Sequence, residues 1–247
     1  MGSQATPITN ITLYATLSCP WAQRARIAIR ETGVAYHEHY IDLKNKPEWY
    51  LKDVNPAGLV PAITFGGPDV PPDQPSPAST KLRESGPIIE WIADSFPKAG
   101  LLPEDPLLRY RVRIFTYVIG NKFLPAFNSF VYSDGTAENV IKGLEALQAE
   151  LVPGVKYAVS DSFTIADAAV APFLGRLDLL LSNDVGVYEE GAGKKVHEVL
   201  STDKRFERLW NYTQALKERP SIKSTFPAED ILAHGKTRTA AAKAAKK

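Results

Sequence analysis

Beyond Pro97 no segment of this 247-residue chain carries a strand pattern, whereas the residues before it alternate strand and helix signals. That change of periodicity constrains the fold more than any other feature. Asn10-Ile11-Thr12-Leu13-Tyr14-Ala15 alternates polar and apolar residues and reads as a strand. Pro20 suits the first position of a helix that runs to Gly33. Ala35–Asp42 reads as a second strand and Pro47–Asp53 as a short helical turn. Asn55-Pro56-Ala57-Gly58 is a turn cluster, Val60–Phe65 a third strand and Lys81–Arg83 a short fourth. Residues 66–80 hold five prolines and read as a loop or lid. Ser85–Phe96 is a helix with Ile88, Ile89, Trp91 and Ile92 on or near its apolar face. The order βαβαββα matches a thioredoxin-like α/β domain better than a doubly wound nucleotide fold.

The remainder reads as all-α. A long helix is expected from about Leu107 to Tyr132, bent at Pro125. Thr136 can cap the next helix, and Thr164-Ile165-Ala166-Asp167 has the form of a capping box that opens another through Leu181. Lys204–Arg219 is a further amphipathic helix, and the Ala- and Lys-rich end from Lys236 is expected to fray. The expected domains are residues 1–98, thioredoxin-like, and 104–247, all-helical.

The charge balance excludes a dedicated nucleic-acid binder, since Lys+Arg is 29 against Asp+Glu 28. No apolar run reaches the ~20 residues of a spanning helix, and the N-terminal segment has no secretory-signal pattern. Met1–Thr6 fits the loose N-myristoylation pattern but reads as a flexible start. One cysteine forms no intramolecular disulfide, which favours a reducing compartment, the cytoplasm. His37 and His39 share a strand face without a further ligand candidate, so no metal site is expected.

The strongest local feature is Ser18-Cys19-Pro20-Trp21-Ala22-Gln23-Arg24 directly after a strand. Pro20 at the first helical position puts Cys19 at the N-cap, where unpaired N–H groups and the helix dipole favour a thiolate. Such a cysteine is nucleophilic near neutral pH. The plain alternative is a small residue filling a corner. With no second cysteine, any mixed disulfide needs an external thiol for its resolution.

These residues resemble the cytosolic glutathione transferases, most closely the omega class in a fungal-like variant. The resemblance is carried by Cys19–Arg24, by Leu43-Lys44-Asn45-Lys46-Pro47-Glu48-Trp49, by Asn55-Pro56-x-Gly58-x-Val60-Pro61, by Arg83-Glu84-Ser85 and by Thr164-x-x-Asp167. It spans roughly residues 10–225. It implies a transferase of the glutathione transferase fold, active in detoxification, with glutathione as co-substrate and no metal. Cys19 is then the catalytic residue for thiol transfer and deglutathionylation. Ser18 is the alternative, which would favour conjugation or peroxide reduction. Glutathione would be held by Trp21, Leu43, Lys46, Val60, Pro61, Glu84 and Ser85. Lys46 would pair with the glycyl carboxylate, and Val60, before a cis-Pro61, would meet the cysteinyl backbone. Ser85 and the helix start would take the γ-glutamyl carboxylate, with Glu84 on its ammonium.

Phe123, Phe127 and Phe130 fall on one helix face, with Phe173 and Arg176 on the capping-box helix. They are candidates for a hydrophobic second-substrate site between the domains, contributed by the helical one; helical core is the plain reading. Rings in such number suit flat aromatic ligands such as polyphenols. Hence a second reading, a serine-type ligandin that binds aromatic compounds with weak catalysis. A non-enzymatic relative, such as an elongation-factor subunit or an intracellular chloride channel protein, has less support. The resemblance further implies a homodimer that binds neither nucleic acid nor membrane.

Overall fold

A computed structural model describes residues 8–245; Met1–Thr6 lies outside them. The chain divides into two compact units between Ala99 and Gly100. In the first, strands β1 (Thr12–Ala15), β2 (His37–Tyr40), β3 (Ala62–Phe65) and β4 (Thr80–Arg83) are joined by helices α1 (Pro20–Thr32) and α2 (Glu48–Asp53). Helix α3 (Ser85–Ser95) follows β4. The sheet order is β2-β1-β3-β4. β1 runs parallel to β2 and antiparallel to β3, with Leu13 opposite Ile63, and β3 is antiparallel to β4. This is the expected thioredoxin-like arrangement.

The register explains the core. Paired Leu13 and Ile63 are both fully buried, as are Ile27 and Ile29 of α1 and Ile88 and Ile92 of α3, and the two helices pack together. Polar Thr12, Tyr14 and Thr64 are also buried, so β1 is covered on both faces. The proline-rich segment supplies that cover. Tyr14 donates from its hydroxyl to the Pro72 carbonyl at 2.8 Å, and Asn10 Nδ2 donates to Gly67 O at 2.9 Å. Lys81 Nζ gathers the carbonyls of Ser76 and Ser79, each at 2.7 Å. The segment is thus tied to the sheet.

The second unit is helical. Helix α4 (Pro106–Val118) passes through a π-helical turn at Ile119–Phe123 into α5 (Leu124–Tyr132). In place of a simple bend at Pro125, the helix widens before it, and the Leu124 N–H reaches back five residues to Ile119 O. Proline has no N–H and crowds the preceding turn, so a wider turn relieves both problems. Helix α6 (Ala137–Ala149) is capped by Thr136, which accepts from the Asn139 N–H at 3.3 Å. Helix α7 (Ile165–Ser182) opens on the Thr164/Asp167 capping box.

Helices α8 (Ala192–Thr202), α9 (Glu207–Lys217), α10 (Pro220–Lys223) and α11 (Ala228–Ala244) complete the unit. The expected fraying from Lys236 is corrected: the helix continues to Ala244. Its buried residues are Ile231, Gly235 and Thr239, a mostly small stripe at helical spacing that packs on α7. A Cβ at Gly235 would come within 2.6 Å of Leu180 Cδ2.

Candidate active site

The strand-to-helix corner is built as its residue types dictate. Cys19 takes an extended N-cap conformation, φ −75° and ψ 117°, and Pro20 occupies the first turn of α1. The sulfur accepts from the Ala22 N–H at 3.5 Å and lies 3.8 Å from the Val60 carbonyl, to which the thiol can donate. Cys19 is half-buried against the cluster of Tyr14, Ala15, Ala22 and Ala62. Ser18 is also half-buried but stands one residue before the cap.

Val60 is held in place by the preceding turn. The Leu59 carbonyl accepts from Tyr50 Oη at 2.6 Å and from Asn55 Nδ2 at 2.8 Å. Burial pushes the Tyr50 hydroxyl well above its ordinary range, so it stays a donor. Gly58 sits at φ +64°, and a Cβ there would meet Leu51 Cδ2 at 2.9 Å and Lys46 Nζ at 3.0 Å. Only glycine fits that turn without strain. The Val60–Pro61 bond is cis, as expected from the flanking motif.

At the start of α3, Glu84 takes φ +70°, which non-glycine residues seldom adopt. No side chain caps this helix, in contrast to α1. Ser85 is buried, at 6% exposure, while Glu84 is exposed.

A cleft of about 420 Å³ lies within the first unit, in the usual size range of small-molecule sites. It brings together Trp21, Val60, Pro61, Glu84 and Ser85 of the expected set. Cys19 adjoins it through Val60. Leu43 and Lys46 are exposed and are not among its lining residues, Lys46 lying beside Gly58.

Arg24, Asn55, Leu59, Gly86 and Pro87 also line the cleft and carried no site assignment in the sequence. Asn55 sets the turn, as described. Arg24 is 5% exposed, stacks its guanidinium 4.5 Å from the Trp21 ring centroid and reaches Ser85 Oγ at 3.5 Å. Burial pushes its pKa down to about 10, which leaves it charged at neutral pH. The signal was a charged residue on the inward face of α1, five residues after Cys19.

In the helical unit, Phe123, Phe127, Phe130, Phe173 and Arg176 are all at most 5% exposed. Phe123 stacks on Phe127 and Phe130 on Tyr188. Arg176 donates to the Pro172 carbonyl at 2.8 Å and faces the Phe226 ring. Among the described residues no acidic, histidine or cysteine cluster could hold a metal ion, and no helix is long and apolar enough to cross a membrane.

The geometry has clear counterparts. Residues 13–100 match the family described as glutathione S-transferase, N-terminal domain, and residues 131–215 match glutathione S-transferase, C-terminal domain. The crystal structure of glutathione transferase Omega 1C from Trametes versicolor is 42% identical, with 96% of this chain and 98% of that one covered at TM-score 0.91. Omega 2C from the same fungus is 44% identical over 95% of this chain and 100% of that one, at TM-score 0.89. Omega 2S in complex with 2,4-dihydroxybenzophenone is 40% identical over 92% of this chain and 98% of that one, at TM-score 0.85.

Proposed function

The chain belongs to the omega class of the glutathione S-transferase family and is a glutathione transferase; from that premise we propose that it performs thiol transfer with Cys19 as the nucleophile. The observation that carries this reading is the Cys19 sulfur on the first-turn N–H of α1, at the edge of the cleft. Positive charge at a helix start stabilises a thiolate.

The chemistry runs in two exchanges. The Cys19 thiolate attacks the glutathionyl sulfur of a mixed disulfide R–S–SG, the S–S bond breaks, and R–S⁻ leaves and takes a proton from solvent. Cys19–S–SG results. A glutathione thiolate then attacks its glutathionyl sulfur, releasing the Cys19 thiolate and oxidised glutathione. One glutathione thiol is oxidised to the disulfide level as the R–S sulfur is reduced to thiol, while the transferred glutathionyl sulfur stays at the disulfide level, so electrons balance.

Binding roles follow from charge and position. The Val60 backbone meets the cysteinyl unit beside Pro61. Ser85 and the uncapped N–H groups of α3 receive the γ-glutamyl carboxylate, with Glu84 on its ammonium. Trp21 and Leu43 flank the peptide, and exposed Lys46 pairs with the glycyl carboxylate. The test compares Cys19→Ser and Ser18→Ala in a thiol-transfer assay. Loss in the first variant alone supports the reading, while loss in the second alone overturns it.

Binding of flat aromatic compounds is a second reading, favoured by the benzophenone complex of the 40%-identical relative. In this chain Trp21, 41% exposed beside the cleft, is the accessible ring for stacking. Phe123, Phe127, Phe130, Phe173 and Arg176, being buried, would have to open to take part. A thermal shift with 2,4-dihydroxybenzophenone that Trp21→Ala abolishes supports this; no shift in the parent protein removes it.

A cytoplasmic homodimer completes the proposal. Leu107, Tyr110 and Tyr117 of α4 are each about 60% exposed and recur on one helix face, as an apolar interface would require. A monomer mass by light scattering at micromolar concentration would refute the dimer.

A further inference from the structure

Arg24 is a buried charge at the cleft whose place in the fold has a consequence for ligand recognition. It projects from α1, one turn after Trp21, into the contact between α1 and α3. Together with Trp21, Glu84 and Ser85 it lines the cleft. A hydroxyl offers one proton and two lone pairs. With the Arg24 guanidinium 3.5 Å from Ser85 Oγ, one lone pair faces a cation that can only donate. The Ser85 proton is then left for an acceptor elsewhere. The side on which Ser85 meets the cleft is also the start of α3, whose first N–H groups have no side-chain cap.

We propose that Arg24 is a positioning and specificity residue, which commits the Ser85 hydroxyl to outward donation and adds positive charge beneath the α-carboxylate of the γ-glutamyl group. The guanidinium carbon lies 4.5 Å from the Trp21 ring centroid, a cation–π contact that helps hold the charge at this place. The inference rests on the glutathione-site reading above and goes beyond it, because it assigns recognition of one carboxylate to a residue that acts through another. Lysine would keep the charge but lose the planar fork and the stacking.

The test is calorimetric titration of the full chain with glutathione and with γ-aminobutyryl-cysteinylglycine, the analogue that lacks only that α-carboxylate. The proteins are the parent, Arg24→Lys, Arg24→Met, Ser85→Ala and the Arg24→Met/Ser85→Ala double variant. Arg24→Met should weaken glutathione binding about tenfold and Arg24→Lys about threefold, with analogue binding unchanged. In the Ser85→Ala background the Arg24→Met loss should be clearly smaller than in the parent, since part of it runs through the Ser85 hydroxyl. Equal losses for both ligands, or full additivity, would overturn the inference and leave Arg24 as a packing residue. If circular dichroism shows Arg24→Met unfolded, Arg24→Lys carries the same two-ligand comparison and Arg24→Lys/Ser85→Ala the additivity test. A parent protein that binds no glutathione, or does not prefer it to the analogue, removes the glutathione-site reading together with this one. Normal glutathione binding, weakened by Ser85→Ala but untouched by Arg24→Lys and Arg24→Met, removes only this one.

Discussion

The starts of α1 and α7 each set an N-cap side chain on an N–H group of the first helical turn, yet the two caps differ in how deeply they are buried. At α7, Thr164 and Asp167 are fully buried. Asp167 Oδ1 accepts from the Ala158 N–H at 2.9 Å and from the Tyr212 hydroxyl at 2.7 Å. Its Oδ2 accepts from the N–H and the hydroxyl of Thr164 at 2.8 and 3.0 Å. All four acceptor positions of the carboxylate are thereby used. At α1 the Cys19 sulfur accepts from the Ala22 N–H at 3.5 Å, lies 3.8 Å from the Val60 carbonyl, and belongs to a residue that is only half-buried. A saturated, buried cap can only hold a fold together. A half-buried cap beside a cleft is left accessible to react.

The largest expected effect lies at the open cap. Cys19→Ser should lower thiol-transfer turnover by at least about 10³-fold, roughly 4 kcal/mol of barrier, with little change in melting temperature. A stability loss of similar size would erase the contrast between the two caps. At the saturated cap the pattern should invert. Asp167→Ala leaves several buried donors without an acceptor and should cost about 3 kcal/mol in urea unfolding. The folded fraction should keep the parent's rate of Cys19 alkylation. Activity lost without a stability loss would show that α7 does more than hold the unit together.

Smaller effects sharpen the comparison at a third helix start. Ser85→Ala should raise the glutathione KM about tenfold and leave turnover at saturation near the parent value, because it removes one ligand contact at α3. An unchanged KM would leave that helix start without a role in binding. The smallest change is expected from Ser18→Ala. Its residue precedes the cap, so thiol transfer should move by less than about twofold. A tenfold loss there would shift the reactive atom from sulfur to oxygen.

What the sequence made legible follows the range of the interactions involved. The α1 corner was readable because Cys19, Pro20 and Gly33 act on backbone within a few residues of themselves. The α7 capping box was readable for the same reason. Helix α11 was not, because it carries few large apolar residues at helical spacing. Its contact with α7 uses Gly235 and Thr239, where the absence of bulk is the signal. Helix α8 buries only Gly193, Val196 and Leu200, too few for a clear stripe. The cover over Tyr14 escaped notice because proline-rich composition suggests a loop without saying what the loop binds. The place of Arg24 was not legible in its motif, since only the packing of α1 on α3 brings it to Ser85, 61 residues away in sequence. The chain thus announces its proposed nucleophile locally and conceals the residues that tertiary contacts bring to it.

Whether the half-buried Cys19 cap at α1 carries a reactive thiolate is decided by mass spectrometry of the protein treated with oxidised glutathione near pH 6. An unstructured peptide spanning residues 16–24 serves as the reference thiol. One glutathionyl adduct is expected, mapped to Cys19, formed much faster than on the peptide and removed by added glutathione. Adduct formation no faster than on the peptide, or none at all, would contradict a reactive Cys19 thiolate and return the chemistry to Ser18.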